Sequence, residues 1–289
     1  LFPYTTLFRS ALARRGLQGV VEPVVGPAGY FRVNYFPVGN PLVSIIIPTR
    51  DNCNVLRRCV DSIKNTTRYS QYEIIILDNG SVAADALEYF SSLESEEKIK
   101  VIRHDRPFNF SELNNVGVAE SKGEILLFLN DDTEVLHADW LERLIGYAQL
   151  PHVGAVGAKL IYPETNLVQH AGVLNLAGGP MHALHNMDRT HPGYFMRNLL
   201  EYNWLAVTGA CLMMERKKFD RIGQFDESFP IAYNDVDLCF RSVDAGYYNV
   251  VCPAVELYHY ESVSRGLDHQ DEEKVRRLMN ELSRLNENQ

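Results

Sequence analysis

Short apolar runs alternate, through the first half of the chain, with segments in which apolar residues recur at helical spacing. Most of the runs are rich in isoleucine, valine and leucine, which is typical of strands buried on both faces. They predict strands at 43–47, 73–77, 98–102 and 124–129, and the spacing predicts helices at 52–63, 84–90, 109–121 and 139–150. Strands that alternate with helices in this way favour a parallel sheet with right-handed crossovers.

The second half changes character at Pro151. Residues 163–198 are rich in glycine, histidine and asparagine with little periodicity, and so long an irregular segment is more often functional than filler. The surrounding pattern predicts strands at 153–161, 204–214, 248–251 and 255–258, a helix at 234–245 and an amphipathic helix at 272–285.

The first 41 residues form two stretches that we set apart from the fold. Residues 1–10 look like the translation of a common sequencing-adapter oligonucleotide, so we interpret them as an artefact. Glycine and proline recur through 11–41 at a density that breaks any long helix or strand. We interpret this second stretch as a linker or as the tail of a missing upstream domain.

The composition is that of an ordinary soluble globular protein, with 46% hydrophobic and 22% charged residues. The net charge is -9, and the chain has no run of lysine or arginine. Electrostatic binding to a nucleic acid or an anionic membrane is therefore not indicated. An anionic substrate would need positive charge at its binding site, most simply from a metal ion. No apolar run approaches the roughly 18 residues that span a bilayer. The five cysteines form no C-x-x-C pair, and we expect buried free thiols in a reducing compartment.

Three polar residues directly follow the predicted fourth strand: Asn130, Asp131 and Asp132. Adjacent carboxylates at the end of a buried strand are costly unless a ligand uses them, and ligands bind at the carboxyl ends of strands in an open parallel sheet. Oxygen ligands of this kind suit Mg²⁺ or Mn²⁺, and such a cation suits phosphate. The stretch therefore predicts a nucleotide-diphosphate site, although helix capping is an alternative for one of the two acids.

Other candidate side chains lie at the ends of predicted elements, and each has a structural alternative. Asp78 ends the second strand, where it either bonds a nucleobase or ribose hydroxyl or closes an Asp-Asn-Gly-Ser turn. Asp235 and Asp237 begin a helix, where a catalytic role competes with helix capping. His259 follows the last strand and is either a ligand or a structural histidine.

Six motifs occur in a fixed order: PTRDN, LDNGS, LNDDT, TGACLM, NDVDLCFR and HYESVSRG. Together they resemble the inverting family 2 glycosyltransferases, over residues 42–266. The resemblance implies an α/β protein of the GT-A fold, in which a mainly parallel central sheet is flanked by helices. It implies a nucleotide-binding half at 42–150 and an acceptor and catalytic half at 151–266, followed by a C-terminal amphipathic helix within 267–289 whose true end is left open. The segment GYFRVNYFPVGNPLVS also resembles the joint to an upstream domain in large bacterial members.

The resemblance implies nucleotide contacts in the first half and metal contacts at the fourth strand. The matched nucleotide positions are Thr49, Arg50 and Asp51 in the first loop, Asp78 at the base, and Asn114 and Gly117 in the segment that closes over the nucleotide. Asn130, Asp131 and Asp132 occupy the D-x-D position, with Asp131 near the ribose and Asp132 on the metal. Asn130 departs from the first aspartate of that motif, which lowers the carboxylate count. The implied cofactor is Mg²⁺ or Mn²⁺, with His259 as a second metal ligand or a diphosphate contact.

The resemblance implies sugar contacts and the catalytic base in the second half. Gly209 and Ala210, with Thr208 before them, match the strand beside the donor sugar. Asn234 would hydrogen-bond sugar, and Asp235 is the implied base. The loop that closes on the diphosphate is matched by Ser262, Ser264 and Arg265.

The expected chemistry fits these residue types. The departing nucleoside diphosphate develops charge that a metal ion and Arg265 would stabilise. The acceptor hydroxyl loses its proton to a carboxylate within about 3 Å, for which Asp235 is the candidate. One base and in-line displacement give inversion, whereas double displacement needs a second carboxylate as nucleophile.

The implied partners are a nucleotide-diphosphate sugar donor and a glycan or lipid-linked acceptor. Family context indicates bacterial surface-polysaccharide synthesis at the cytoplasmic face of the plasma membrane, and peripheral association with that membrane stays open. We expect acceptor selectivity to lie within residues 170–198. There His170, His182 and His185 either contact sugar or metal or hold the loop in shape.

Two other functions compete with this one. A sugar nucleotidyltransferase normally carries a glycine-rich phosphate loop after its first strand, and the loop at 48–52 has no glycine. A non-catalytic nucleotide-sugar-binding module is favoured by Asn130 and Asn234 and opposed by the remaining acidic, histidine and arginine candidates. A Rossmann dehydrogenase is excluded, because no G-x-G-x-x-G follows any predicted strand.

Overall fold

A computed structural model of the chain describes residues 3–24, 26, 28–260 and 272–287. The strands in this part of the chain are β1 (Gly19–Pro23), β2 (Phe31–Tyr35), β3 (Val43–Thr49), β4 (Tyr72–Asp78), β5 (Ile99–Arg103), β6 (Ile125–Leu129), β7 (Thr133–Val135), β8 (Val153–Ile161), β9 (Val168–His170), β10 (Val173–Leu176), β11 (Gly179–His182), β12 (Tyr202–Trp204), β13 (Cys211–Glu215) and β14 (Tyr248–His259). The helices are α1 (Pro3–Arg14), α2 (Cys53–Thr66), α3 (Ala84–Leu93), α4 (Phe110–Ala119), α5 (Trp140–Ala148), α6 (Arg216–Arg221), α7 (Asn234–Asp244) and α8 (Glu272–Glu287), with a 3-10 turn at Tyr194–Met196.

A central sheet runs through the molecule in the strand order β12-β14-β8-β13-β6-β3-β4-β5, with β7 added beside β14 and β9 beside β8. The strands β6, β3, β4 and β5 are mutually parallel, as the alternation of strands and helices predicts. Beyond them β13 lies antiparallel to both β6 and β8, and β14 returns parallel to β8. The sheet is therefore mixed, and its parallel part brings the carboxyl ends of β3, β4 and β6 to one edge.

Apolar side chains pack on both faces of the sheet, and β6 shows how. Leu127 and Leu129 belong to the core cluster that includes α2, α3 and α5. Leu126 and Phe128 belong to the cluster that includes α4, α6 and α7. All residues of β6 are buried, which confirms that this apolar run forms a strand covered on both sides. The fold is thus an α/β arrangement with helices on both faces.

Three predicted strands differ from the observed ones. The segment predicted as one strand at 204–214 is interrupted between β12 and β13, because the backbone N–H groups of Thr208 and Gly209 donate to the side chains of His170 and Asp235 instead of to a neighbouring strand. Conversely, the two strands predicted at 248–251 and 255–258 form the single strand β14. Its pairing with β8 is irregular between Cys252 and Glu256, where the chain contains a proline.

The residues before the sheet fold into a helix and a hairpin. Helix α1 includes most of the stretch at 1–10, and β1 pairs antiparallel with β2. The hairpin packs on α5, where the Tyr35 and Tyr147 rings meet edge to face with centroids 5.1 Å apart. Gly146 has no room for a side chain, since a Cβ there would lie 2.2 Å from the Tyr35 carbonyl oxygen. The interpretation of 11–41 as a linker or a domain tail stays a prediction.

The irregular segment at 163–198 contains three short strands, β9, β10 and β11. The hairpin β10–β11 pairs Val173 with His182 at its base. All five cysteines are buried and free, as predicted. Within the described parts of the chain, every helix is too short or too polar to cross a lipid bilayer.

Candidate active site

The carboxyl ends of β3, β4 and β6 open into a cleft of about 630 Å³. We call its strand-tip side the first wall, formed by residues 48–50, 79 and 130–132. The second wall faces it and consists of residues 180–182, 208–210, 231–236 and 259. The cleft therefore lies where the parallel half of the sheet meets the second half of the chain.

The tips of β3 and β6 are joined by a buried hydrogen bond. The hydroxyl of Thr49 donates to Asp131 Oδ2 at 2.6 Å, and both side chains are less than a tenth exposed. This bond occupies one carboxylate oxygen and fixes the direction of the other. Both residues line the cleft, and their contact with a nucleotide stays a prediction.

Asp132 and His259 form a pair between the end of β6 and the end of β14. Asp132 Oδ1 lies 3.0 Å from His259 Nε2, and both side chains are largely buried. His259 Nδ1 lies 2.6 Å from Gln169 Oε1, an acceptor, so Nδ1 carries hydrogen and donates to it. The 3.0 Å contact has two explanations: protonated His259 donates from Nε2 to Asp132, or, in neutral His259, the Nε2 lone pair and the carboxylate both face a cation.

The pair fits a divalent metal that shares its coordination with phosphate. Among the described residues, no group of three or more histidine, cysteine, aspartate or glutamate side chains is arranged to hold an ion alone. Mg²⁺ and similar ions commonly take one or two protein ligands and complete their shell with substrate phosphate oxygens and water. Asp132 and His259 supply an oxygen and an imidazole nitrogen, and Gln169 orients the imidazole as carboxylates and carbonyls do around other metals.

Asn130 lies beside this pair. Its Nδ2 is 3.3 Å from His259 Nε2, and its backbone N–H donates to the carbonyl of Ala210 on the second wall. The amide thus approaches the same nitrogen that would bind a metal. Ala210 is 4% exposed and lines the cleft next to Gly209.

Asp235 is oriented by two backbone N–H groups. Gly209 N donates to its Oδ2 at 2.7 Å, and Val236 N donates to its Oδ1 at 2.8 Å. A carboxylate has about four lone-pair directions, so each oxygen keeps acceptor capacity toward the cleft. A side chain on residue 209 would be tight, since its Cβ would lie 3.3 Å from the Phe110 ring. The loop before β13 therefore positions the acid that the sequence predicts as base.

Asn234 lines the cleft, but its side chain holds the start of α7. Its Oδ1 accepts from Asp235 N at 2.8 Å, and its Nδ2 donates to the Ile231 carbonyl at 3.2 Å. The preceding Tyr233 has a left-handed backbone with φ 58. This turn directs residues 233–235 to the cleft, and Asn234 both shapes it and borders the proposed sugar site.

In the loop after β3, Arg50 lines the cleft, whereas Asp51 holds the loop in place. Arg50 lines the cleft with a side chain that is 58% exposed. Asp51 is not among the lining residues, and its Oδ1 accepts from Ala83 N at 2.8 Å and Val82 N at 2.6 Å. These N–H groups lower the pKa of Asp51. Asp51 therefore ties the loop after β3 to the start of α3.

Asp78 and Asn79 at the end of β4 have different surroundings. Asp78 is 2% exposed and does not line the cleft, and its oxygens accept from Ser81 N at 2.8 Å and Arg103 Nη1 at 3.1 Å. Asn79 does line the cleft. Its Nδ2 donates to two backbone carbonyls, and its Oδ1 is buried without a hydrogen-bond partner in the described structure. Asn79 was not predicted, since its motif draws attention to the acid before it.

Asn114 and Gly117 lie on α4 behind the cleft rather than along it. Asn114 is fully buried and donates to the Phe110 carbonyl at 2.8 Å. A Cβ on Gly117 would lie 2.5 Å from Ile46 Cγ2, so the glycine allows α4 to approach the sheet closely. Their predicted closing over a nucleotide stays a prediction. The predicted diphosphate loop, with Ser262, Ser264 and Arg265, lies outside the described residues.

Some residues that support or line the cleft were not predicted, because their roles depend on contacts between distant segments. Gln169 is one of them, and it ends β9 together with the predicted candidate His170; both are almost fully buried although polar. Burial, together with His182 and His259, lowers the pKa of His170 well below its usual range. Arg277 brings α8 to the cleft, and the buried Glu281 accepts from Ala232 N at 2.7 Å. The available signal was a pair of polar residues, Gln169 and His170, between the apolar Val168 and Ala171, since polar residues in a buried strand need specific partners.

This fold and this cleft define a protein of the GT-A class. A solved structure of the mannosyltransferase PcManGT from Pyrobaculum calidifontis, in complex with GDP-Man and Mn²⁺, aligns with a TM-score of 0.59 and 16% identity, over 92% of this chain and 67% of that one. Residues 44–223 match glycosyl transferase family 2, and the chain belongs to this family. The resemblance in the sequence motifs is thereby confirmed.

Two curated relatives are longer than the chain. An uncharacterized protein, y4gI, of Sinorhizobium fredii is 48% identical over 260 residues, which cover 89% of this chain and 28% of that protein. The O-antigen biosynthesis protein RfbC of Myxococcus xanthus is 40% identical over 259 residues, which cover 87% of this chain and 20% of that protein. The chain thus spans about a quarter of the length of these relatives.

Proposed function

We propose that the chain is a metal-dependent inverting glycosyltransferase that moves a sugar from a nucleotide-diphosphate sugar to a hydroxyl of a glycan or lipid-linked acceptor. The observation that carries the proposal is the Asp132–His259 pair at 3.0 Å, oriented by Gln169 at the edge of the cleft. Family membership supports the reaction class. The mannosyltransferase with GDP-Man and Mn²⁺ supports the choice of donor and metal.

The first wall binds the donor in this proposal. Asp131 faces the ribose with the oxygen that Thr49 does not hold, and Arg50 lies near the phosphates. Asn79, whose carbonyl oxygen has no described partner, meets the edge of the base, while Asp78 supports the turn beneath it. When bound at Asp132 and His259, Mg²⁺ or Mn²⁺ would supply positive charge to the departing diphosphate.

The second wall carries the transfer. Asp235 accepts the proton of the attacking hydroxyl, because two backbone N–H groups hold its carboxylate toward the cleft. Gly209 and Ala210 leave space for the donor sugar beside it. A single base predicts inversion at the anomeric carbon.

The acceptor belongs to surface-polysaccharide synthesis in this proposal. The support is the relative from Myxococcus xanthus that is named as an O-antigen biosynthesis protein. We place the reaction at the cytoplasmic face of the plasma membrane, with the protein associated peripherally. A longer parent protein would carry this domain as one of several.

The test is a panel of nucleotide sugars incubated with the protein, Mn²⁺ and candidate glycan acceptors. We expect release of nucleoside diphosphate with one donor class, and a product whose anomeric configuration is inverted. Release that is equal with Mn²⁺ and with a chelator would contradict the metal role. A retained configuration would contradict the single-base mechanism.

A non-catalytic nucleotide-sugar-binding module is the second candidate. Asn130 favours it, because its amide approaches His259 Nε2 at 3.3 Å and could replace a metal there. In that case the same panel gives binding without release of nucleoside diphosphate by any donor. Asn130→Asp would then be expected to restore metal binding, which calorimetry with Mn²⁺ would detect.

A further inference from the structure

Two histidines, one at the end of β9 and one at the end of β11, contact each other at the second wall. His170 Nδ1 lies 2.8 Å from His182 Nδ1, with the two rings edge to face. His170 is 1% exposed, whereas His182 is exposed and lines the cleft. His170 is thus part of the interior, and His182 lies where it can contact the proposed substrate.

The hydrogen bonds around His170 determine which of its nitrogens carries hydrogen. The backbone N–H groups of Gly172 and Thr208 both donate to His170 Nε2, at 3.3 and 3.4 Å. A nitrogen that accepts carries no hydrogen, so neutral His170 carries its hydrogen on Nδ1. That hydrogen points to His182 Nδ1. His182 then accepts at Nδ1 and carries its own hydrogen on Nε2.

The backbone holds this arrangement in place. His182 ends β11 at the base of the hairpin, where it pairs with Val173. Val173 N donates to the Ala206 carbonyl, and Ala183 N donates to the Gly172 carbonyl. The hairpin base is therefore attached both to the loop before β13 and to the residues after β9. His182 is thus held both by the hydrogen bond of its side chain to His170 and by the backbone of the hairpin base, and a side chain held in this way loses little entropy when it binds a ligand.

A metal ion shared by the two histidines does not explain the pair. Two imidazole nitrogens bound to one tetrahedral zinc ion lie about 3.3 Å apart. The observed 2.8 Å between the Nδ1 atoms is the length of a hydrogen bond. The pair is therefore a donor and an acceptor, and the second nitrogen of His182 is a hydrogen-bond donor.

We propose that His182 contacts a sugar hydroxyl or ring oxygen in the cleft through Nε2–H, and that His170 is the positioning residue that holds His182 in this tautomer. The inference rests on the proposed function and adds to it a residue pair for sugar recognition. The oxygen belongs to the donor sugar or to the acceptor glycan, which offer the same chemistry. Kinetics with and without an acceptor separate these two sources.

The tautomers are tested without any substrate. Long-range ¹H–¹⁵N correlation spectra of the histidine rings, assigned with single variants, are expected to show His170 protonated on Nδ1 and His182 on Nε2. His170→Asn should preserve the His182 state, because the asparagine Nδ2 lies where the histidine Nδ1 was. His170→Ala should lose it. A wild-type His182 with its hydrogen on Nδ1 would overturn the proposal.

The sugar contact is tested by kinetics with the nucleotide sugar that turns over. We expect His182→Ala to lower kcat/KM roughly 10- to 100-fold, the effect of losing one well-placed hydrogen bond. His182→Gln, which keeps a distal N–H donor, should retain more activity than His182→Asn. His170→Ala should match His182→Ala, the double variant should be no worse than either, and His170→Asn should stay near wild type.

The control is His185→Ala, in the same segment. His185 Nε2 lies 3.1 Å from the Tyr162 hydroxyl, and this histidine does not line the cleft. Its loss should leave kcat/KM unchanged, and affinity for UDP and GDP with Mn²⁺ should be the same in all variants. Loss of donor hydrolysis without acceptor assigns His182 to the donor sugar, and loss of transfer alone assigns it to the acceptor. Wild-type kcat/KM in His182→Ala would overturn the proposal, whereas a lack of turnover with every donor would contradict the proposed function and leave the tautomer spectra decisive.

Discussion

The two walls of the cleft are built by different kinds of contact. On the first wall, polar side chains lie at the ends of neighbouring parallel strands, as where Thr49 at the end of β3 donates to Asp131 just after β6. On the second wall, they hold loops and strand ends outside the parallel half of the sheet, as where Gln169 in β9 accepts from His259 at the end of β14. The first wall therefore follows from the sheet itself. The second wall depends on a few buried polar pairs, and it is the more sensitive to single substitutions.

The largest expected effect is on the second wall, at Asp235. Asp235→Asn removes the proton acceptor and keeps only one of the two backbone hydrogen bonds, because its single oxygen replaces either Oδ1 or Oδ2, so transfer should fall roughly 10²- to 10⁴-fold while nucleotide affinity stays near wild type. Measured kcat and calorimetry with UDP or GDP separate the two. Asp244→Asn, at the exposed end of the same helix, is the matched control. Wild-type turnover by Asp235→Asn would contradict the assignment.

The next effect is on stability, at Gly172, whose carbonyl accepts from Ala183 N beside the second wall. Gly172→Ala places a Cβ 2.3 Å from the Trp204 ring at a backbone φ of +120, so the free energy of unfolding should fall by about 3 kcal/mol. Gly178→Ala is the matched control, because nothing lies within 4 Å of its Cβ position. Urea unfolding of both variants measures the difference. Equal stability would show that the segment after β9 adapts more freely than its contacts indicate.

A smaller effect, on Mn²⁺-dependent nucleotide binding, is expected at Gln169, which holds the proposed metal ligand His259 in place. Gln169→Leu removes the acceptor for His259 Nδ1, which should weaken Mn²⁺-dependent nucleotide binding roughly 10- to 100-fold. Gln149→Leu, whose amide bonds the Val38 backbone away from the cleft, should leave it unchanged. Calorimetry with UDP or GDP and Mn²⁺ gives the affinities. Equal affinities in the two variants would mean that His259 does not need its hydrogen bond to Gln169 in order to bind the metal.

The smallest effect is expected at Asp51, which follows the first wall in the chain and ties its loop to the start of α3. Backbone hydrogen bonds depress the pKa of this partly exposed carboxyl, so it contributes stability above its unfolded pKa and loses it as pH falls through the lower folded pKa. Asp51→Asn keeps an acceptor and tolerates the positive φ of 54. Unfolding at pH 7 should show a loss of under about 1 kcal/mol that disappears at acidic pH. A loss as large as that of Gly172→Ala would remove the distinction between the walls.

The parallel half of the fold was predictable from the sequence. Continuous apolar runs, such as the one that forms β6, allow few alternatives to a strand buried on both faces. The tip residues Thr49, Asp131 and Asp132 follow directly from where those strands end. Asp78 and Asn79 show the limit of this reasoning, because periodicity locates the turn without showing which of two adjacent side chains faces the cleft.

The second wall could be predicted only through its motifs. Asp235 and His259 were candidates from their positions and received their roles from the resemblance, but their partners Gly209 and Gln169 are fixed by packing between distant segments. The break between β12 and β13 has the same origin, since side chains from elsewhere take the backbone N–H groups of the loop. The His170–His182 pair lies in a segment without periodicity, where no local pattern indicates which histidines meet.

We propose that Asp132, with His259, binds a metal that holds the nucleotide in the cleft. Calorimetric titration of UDP and GDP, with Mn²⁺ and with a chelator, tests this metal role in the wild type and in Asp132→Ala. We predict that Mn²⁺ tightens wild-type binding of one nucleotide by at least about tenfold and that Asp132→Ala loses this gain. Wild-type affinity that is the same with Mn²⁺ and with the chelator, or an undiminished gain in Asp132→Ala, would contradict the account.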